Sequence, residues 1–273
     1  MIKISRNKVD RTGEINVSNE GCVMKIVEYN NNYDVIIEFQ DEHKYRAHTS
    51  YQAFKKGKCK NPFYPSVYGY GYLGVDKNGD VSKTYESKDG KTVNTWEYDR
   101  WRKMLIRCFD NKYKDRYPTY KDVTCCERWL CFANFLEDFA ILKNEYNWNV
   151  DEKLQLDKDI LYKGNKLYSL ENCVLVPDWI NLLFIKNDAV RGDCPIGVSY
   201  HKGAKKYQAR CRINGKQTRL GYYNTIEEAF NAYKIAKKQE IKRIADDCVS
   251  KGYITKDSRL YNAMINYQVK ITD

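Results

Sequence analysis

The chain has 273 residues, of which 42% are hydrophobic, and carries 47 Lys and Arg against 36 Asp and Glu, a formal net charge of +11. That length holds two domains or three small ones, the apolar fraction excludes disorder throughout, and the charge favours a polyanionic partner, either nucleic acid or an anionic membrane. No apolar run approaches the ~20 residues that span a bilayer and the N-terminal MIKISRNKVDRTGE lacks an apolar signal core, so the expectation is a cytoplasmic protein with no membrane role.

The ten cysteines are scattered, Cys125 and Cys126 are adjacent, and no C-x-x-C pair occurs. In a chain without an export signal this pattern predicts reduced thiols filling core space, not a disulfide framework or a cysteine zinc site.

Residues 14–74 alternate short strand-like runs with turns: VMKIVEY, then NNN, then YDVIIEF. A hairpin at Asn30 to Asn32 follows, and residues 1–75 are expected to form a small β domain. The segment NPFYPSVYGYGYLG, Asn61 to Gly74, is dense in aromatic residues and glycine. Its rings can either stack on bases or pack the domain together, and packing is the reading preferred for them.

From Thr95 the period becomes helical, with Trp96, Trp101, Leu105, Cys108 and Phe109 recurring among Lys and Arg. Tyr117-Pro118 breaks that helix, and a second one is predicted near Cys126 to Leu142 with Trp129, Phe132, Phe135, Leu136 and Phe139 on its apolar side. Residues 76–190 form the second expected segment, ending near the polar link KNDAVRGDCP.

Residues 191–250 read as three strands and a helix, with 251–273 as a C-terminal tail. Asn214-Gly215 joins KYQARCRI to QTRLGYY as a two-residue hairpin, and Thr225 with Glu228 predicts a capping box. Residues 191–245 hold 13 Lys and Arg against 4 Asp and Glu, or +9 of the chain's +11. Strand alternation puts Ala209, Cys211 and Ile213 on one face and Gln208, Arg210 and Arg212 on the other, while Thr218, Leu220 and Tyr222 face the helix and Gln217 and Arg219 face out. The outward side chains suit bidentate contacts with guanine and adenine edges in a major groove. Double-stranded DNA is therefore the expected partner.

The run GVSYHKGAKKYQARCRINGKQTRLGYYNTIEEAFNAYKIA resembles an AP2 domain over roughly 50 residues, in its G-V, its aromatic before A-R, its N-G-K, its L-G-Y-Y and its E-E-A with A-Y. The resemblance implies a sheet that reads the major groove, with Tyr200, Lys202, Lys205, Tyr207, Arg210, Arg212 and Arg219 as contact candidates, and outward-facing Gln208 together with Lys216 completes the expected DNA-binding set. Tyr207 stands where such domains usually carry tryptophan, so base specificity does not transfer.

Upstream, LDKDILYKGNKLYSLENCVLVPDWIN resembles the ββα-metal hairpin of phage-type HNH endonucleases, and the preceding WRKMLIRCFDNKYKDRYPTYKDVTCCERWLCFANFLEDF resembles the helical lead-in of a histidine-poor group of them. By that resemblance Asp157 is the metal aspartate, Asn172 the asparagine that steadies the loop, and Asn181 the helix ligand, with Asp159 as a further ligand for Mg²⁺. Lys158 falls where the general-base histidine belongs, and lysine is ordinarily charged at neutral pH. None of His43, His48 and His201 lies near Asp157 in sequence. The expected fold class is α+β and multidomain: a small N-terminal β domain, a helical plus ββα-metal (HNH-like) module and a C-terminal three-stranded sheet plus helix (AP2-like). Three functions remain open: an HNH-family endonuclease with a degenerate site, a non-catalytic DNA binder, and a factor that targets an unidentified protein.

Overall fold

The computed structural model describes residues 9–149, 153–185 and 194–272, so most of the link KNDAVRGDCP lies outside the described residues. The chain is mixed α+β and divides into two compact units, residues 1–121 with 125–137, and residues 122–124 with 138–273.

In the first unit β1 (Ile15–Val17), β2 (Val23–Asn31), β3 (Asp34–Phe39) and β4 (Arg46–Thr49) form an antiparallel meander in sequence order. Alternation does the sorting: Met24 and Ile26 of β2 and Val35, Ile37 and Phe39 of β3 point to one side and are fully buried. The β2–β3 turn lies one residue later than the Asn triplet suggests, because Asn31 pairs with Asp34 and leaves Asn32 and Tyr33 as the loop. Helix α1 (Tyr51–Lys55) is capped by Ser50 and drives Phe54 into the same core.

Phe63 stacks on His43 at 3.9 Å and Tyr70 on Phe109 at 4.2 Å, so rings of the aromatic 61–74 segment pack within this unit. A hairpin of β5 (Tyr85–Lys88) and β6 (Lys91–Asn94) precedes α2 (Trp96–Phe109), whose buried stripe is Tyr98, Trp101, Met104, Leu105 and Cys108. Thr95 caps α2 through the Tyr98 amide, and the Trp101 indole donates to the Trp129 carbonyl at 2.8 Å. After α3 (Asn111–Arg116), Pro118 opens a short 3-10 turn, as the break at Tyr117-Pro118 predicts.

Strand β7 (Thr124–Cys125) is followed by α4 (Phe132–Asn144), which begins in the first unit and ends in the second. This helix starts six residues later than its apolar pattern suggests. The Tyr72 amide donates to the Leu130 carbonyl and the Phe132 amide to the Tyr72 carbonyl, which holds Cys131 extended. Seven of the ten cysteines are buried, and none of the ten is in a disulfide.

In the second unit β8 (Leu154–Asp157) pairs with β10 (Val174–Pro177), with the two-residue β9 (Leu167–Tyr168) between them and the single turn α5 (Asp178–Asn181) after. The antiparallel sheet β11 (Val198–His201), β12 (Lys206–Ile213) and β13 (Lys216–Tyr223) follows, then α6 (Ile226–Ser250) and α7 (Arg259–Ile265). The capping box of Thr225 and Glu228 is present at the start of α6. At 25 residues and ~1.5 Å per residue, α6 is long enough to serve two cores. Its first half buries Ala229, Phe230, Tyr233 and Ala236 against Val198, Ala209 and Cys211 of the sheet. Its second half buries Ile241, Ala245 and Cys248 with Val174 and Val176 of β10, Ile180 of α5, and Leu260, Tyr261 and Met264 of α7. The sheet and the hairpin are thus fixed to one helix.

Gly197 marks how closely the sheet approaches α6. Its φ is +78° and an added Cβ would lie 2.1 Å from the Tyr233 ring. Gly197→Ala therefore lowers the unfolding free energy by about 1–3 kcal/mol in urea titrations. Among the described residues no helix is long and apolar enough to cross a membrane.

Candidate nucleic-acid interface

The face of the β11–β13 sheet away from α6 is set by its register. Val198, Ala209 and Gly221 stand in one cross-strand row, and the burial of Val198 and Ala209 identifies the helix side. The opposite side carries the rows Ser199–Gln208–Tyr222, Arg210–Arg219 and Arg212–Gln217. Strict alternation would turn Tyr222 toward α6 with Thr218 and Leu220. The ladder slips between Ala209 and Arg210, where Leu220 is an extra residue in β13, and this bulge turns Tyr222 onto the open face.

The structure brings Arg210, Arg212 and Arg219 together on that face and leaves all three exposed. Lys202 and Lys205 lie exposed in the β11–β12 turn and Lys216 at the start of β13. Tyr200 and Tyr207 pair across the strands on the helix-side parity, with rings 5.3 Å apart. Tyr207 is half-buried against the α6 core and Tyr200 is exposed. Gln208 has the open-face parity expected of it but is only 2% exposed, because it sits mid-sheet between its neighbours.

Arg210 and Arg219 stand directly opposite one another across the ladder. Like charges at such positions destabilise a sheet. Among the described residues, none of Lys202, Lys205, Lys206, Arg210, Arg212, Lys216 and Arg219 is joined to a carboxylate. The nearby acid is used elsewhere: buried Glu240 of α6 takes two bonds of 2.8 Å from Arg243 and accepts the Asn214 amide, pinning the hairpin turn. Arg243 holds the Glu240 carboxyl below the usual range. The result is a cationic face whose charge is unneutralised within the described chain.

The β8–β10 hairpin is organised around Lys158. This side chain is 5% exposed and its Nζ donates to Asp159 Oδ2 at 2.6 Å and to the Asn165 carbonyl at 2.7 Å. Asn165 closes the loop, its Nδ2 donating to the carbonyls of Lys158 and Leu167. The Gly164-Asn165 turn pair was the available sequence signal for this residue. Asp157 Oδ1 accepts the amides of Asp159 and Ile160 at 2.7 and 2.8 Å, holding the strand end in a tight turn. Asn172 lies in the turn before β10, where its amide donates to Ser169 Oγ, and Asn181 ends α5 half-buried.

These groups do not suit a resident Mg²⁺. The Asp159 carboxylate is bound to Lys158, Asp157 spends one oxygen on two amides, and a buried ammonium lies between them in sequence. Among the described residues no group of three or more His, Cys, Asp or Glu is arranged as a cation site. Burial also pushes the Asp157 carboxyl above its usual range, against the pull of its amide bonds and of Lys158. A raised folded-state value means that this group's contribution to stability is present in acid and is lost as pH rises through it. Asp157→Asn keeps the acceptor oxygen, so its melting temperature exceeds the parent's at neutral pH, and the difference shrinks as pH falls through the raised value and is gone near the ordinary carboxylate value of ~4; a deficit at neutral pH would oppose this assignment.

No protein-family model, curated protein or solved structure matches the chain.

Proposed function

We propose that the protein binds double-stranded DNA through the open face of the β11–β13 sheet and does not cut it with the hairpin. The observation that carries this reading is the Arg210–Arg219 pair, two exposed arginines registered opposite one another on adjacent strands, neither joined to a carboxylate among the described residues. Such a pair is relieved by a polyanion, and arginine forks match guanine edges and phosphates. Lys202, Lys205 and Lys216 flank it as phosphate contacts. The sheet with α6 is read as AP2-type, and β8, β10 and α5 as an HNH-type hairpin that keeps its shape after losing its chemistry.

Lys158 supports the second half of the proposal. Its nitrogen is spent as a donor inside the loop, so it neither takes a proton from water nor leaves Asp159 free for a cation. In this reading the protein acts in the cytoplasm as a DNA-bound regulator. The test is incubation of the full chain with supercoiled DNA in Mg²⁺, in Mn²⁺ and in EDTA, with binding scored on the same samples. Retarded but unbroken DNA in all three is expected. Metal-dependent nicking that Asp157→Ala removes would make the protein a nuclease instead.

A further inference from the structure

The row Ser199–Gln208–Tyr222 places an amide side chain at the middle of the arginine-bearing face. Gln208 is 2% exposed, and its Nε2 is buried with no hydrogen-bond partner. An unpaired buried amide costs stability, and an apolar side chain of similar size would avoid that cost. Function is one reason to keep it.

The residue opposite Gln208 on β13 is Tyr222, present on this face only because of the bulge at Leu220. Its ring is braced on two sides. Arg219 donates through Nη1 to Tyr222 Oη at 3.3 Å and lies 5.4 Å from the ring centroid. His201 meets the ring edge-on at 5.2 Å. Both braces are cationic or ionisable side chains of the exposed face, the kind that a phosphate or a guanine edge would draw away.

We propose that Gln208 is an adenine-reading side chain kept beneath Tyr222, and that engagement of Arg219 by DNA releases the tyrosine and uncovers it. This rests on the DNA-binding reading above. The amide then finds its missing partner: Nε2–H donates to adenine N7 while the amide oxygen accepts from N6–H, a bidentate match that no other base edge offers. The unsatisfied state of the free protein becomes a satisfied one in the complex. Specificity arises because a wrong base leaves the amide unpaired a second time.

The experiment selects binding sites from random duplexes with the full chain and with Gln208→Met, Tyr222→Ala and Arg210→Ala, and follows thermal melting of each. The parent is expected to prefer adenine at one position by about ten- to hundredfold. Gln208→Met loses that preference alone, binds other sequences as the parent does, and melts at the same temperature or higher. Tyr222→Ala keeps the preference and associates faster. If Gln208→Met retains every preference, or melts lower than the parent, Gln208 is a structural residue and the inference is overturned. In that case the weakened binding of Arg210→Ala still upholds the sheet as the DNA site. A parent that binds no duplex overturns both.

Discussion

Replacing Arg210 and Arg219 together with alanine lowers affinity for duplex DNA by about 1–3 kcal/mol per arginine, while the free protein melts at the same temperature or higher. The two halves of this result have one cause. The side chains are registered opposite each other on adjacent strands and exposed, so the free sheet carries their repulsion. In the proposed complex, DNA would convert that repulsion into paired contacts. A double lysine variant retains the charge but loses the planar fork, and its affinity falls between the two. Fluorescence anisotropy with a labelled duplex and a parallel thermal melt measure both quantities. Loss of affinity accompanied by a large loss of stability would mean that the arginines hold the sheet together and contact nothing else.

Arg259→Ala has the largest expected effect on stability, about 3–5 kcal/mol by denaturant titration. Arg259 opens α7 and gathers three chain segments. Its Nε and Nη2 form a fork onto the two carboxylate oxygens of Glu145, which follows α4, and Nη1 donates to the Leu170 and Glu171 carbonyls at 3.1 and 2.7 Å. Nη2 also reaches the Cys173 carbonyl at 2.9 Å, immediately before β10. Truncation leaves a partly buried carboxylate and three carbonyls without this donor and loosens α7 from the core of Leu260, Tyr261 and Met264. Arg259→Lys does not restore the value, since one ammonium cannot span the set. A change below about 1 kcal/mol would remove this knot from the account.

What the sequence showed was local. Asn214-Gly215 reads as a two-residue turn because both residues accept positive φ, here 50° and 73°, and Thr225 with Glu228 reads as a cap because three residues separate them. The same logic would have found the β5–β6 hairpin, whose turn is Asp89-Gly90 with φ 51° and 74°. The bulge that turns Tyr222 outward had a weaker signal: Gly221, a glycine inside a strand pattern, which marks such irregularities. Burial of Lys158 had no local signal, since it depends on Asn165 folding back across the loop. Nor did the sharing of α6 by sheet and hairpin, because the partners of Ile241 and Cys248 lie far away in the chain. Residues 251–272, expected as a tail, are drawn in by Leu260, Met264 and Val269 for the same reason.

The most direct test of the central claim is a salt titration of duplex binding by the full chain, with the Arg210→Ala and Arg219→Ala double variant alongside. The account predicts that log Kobs falls steeply with log salt, by about 0.9 for each phosphate neutralised, and that the variant binds more weakly at every salt concentration. Binding that is indifferent to salt, or a variant indistinguishable from the parent, would contradict it.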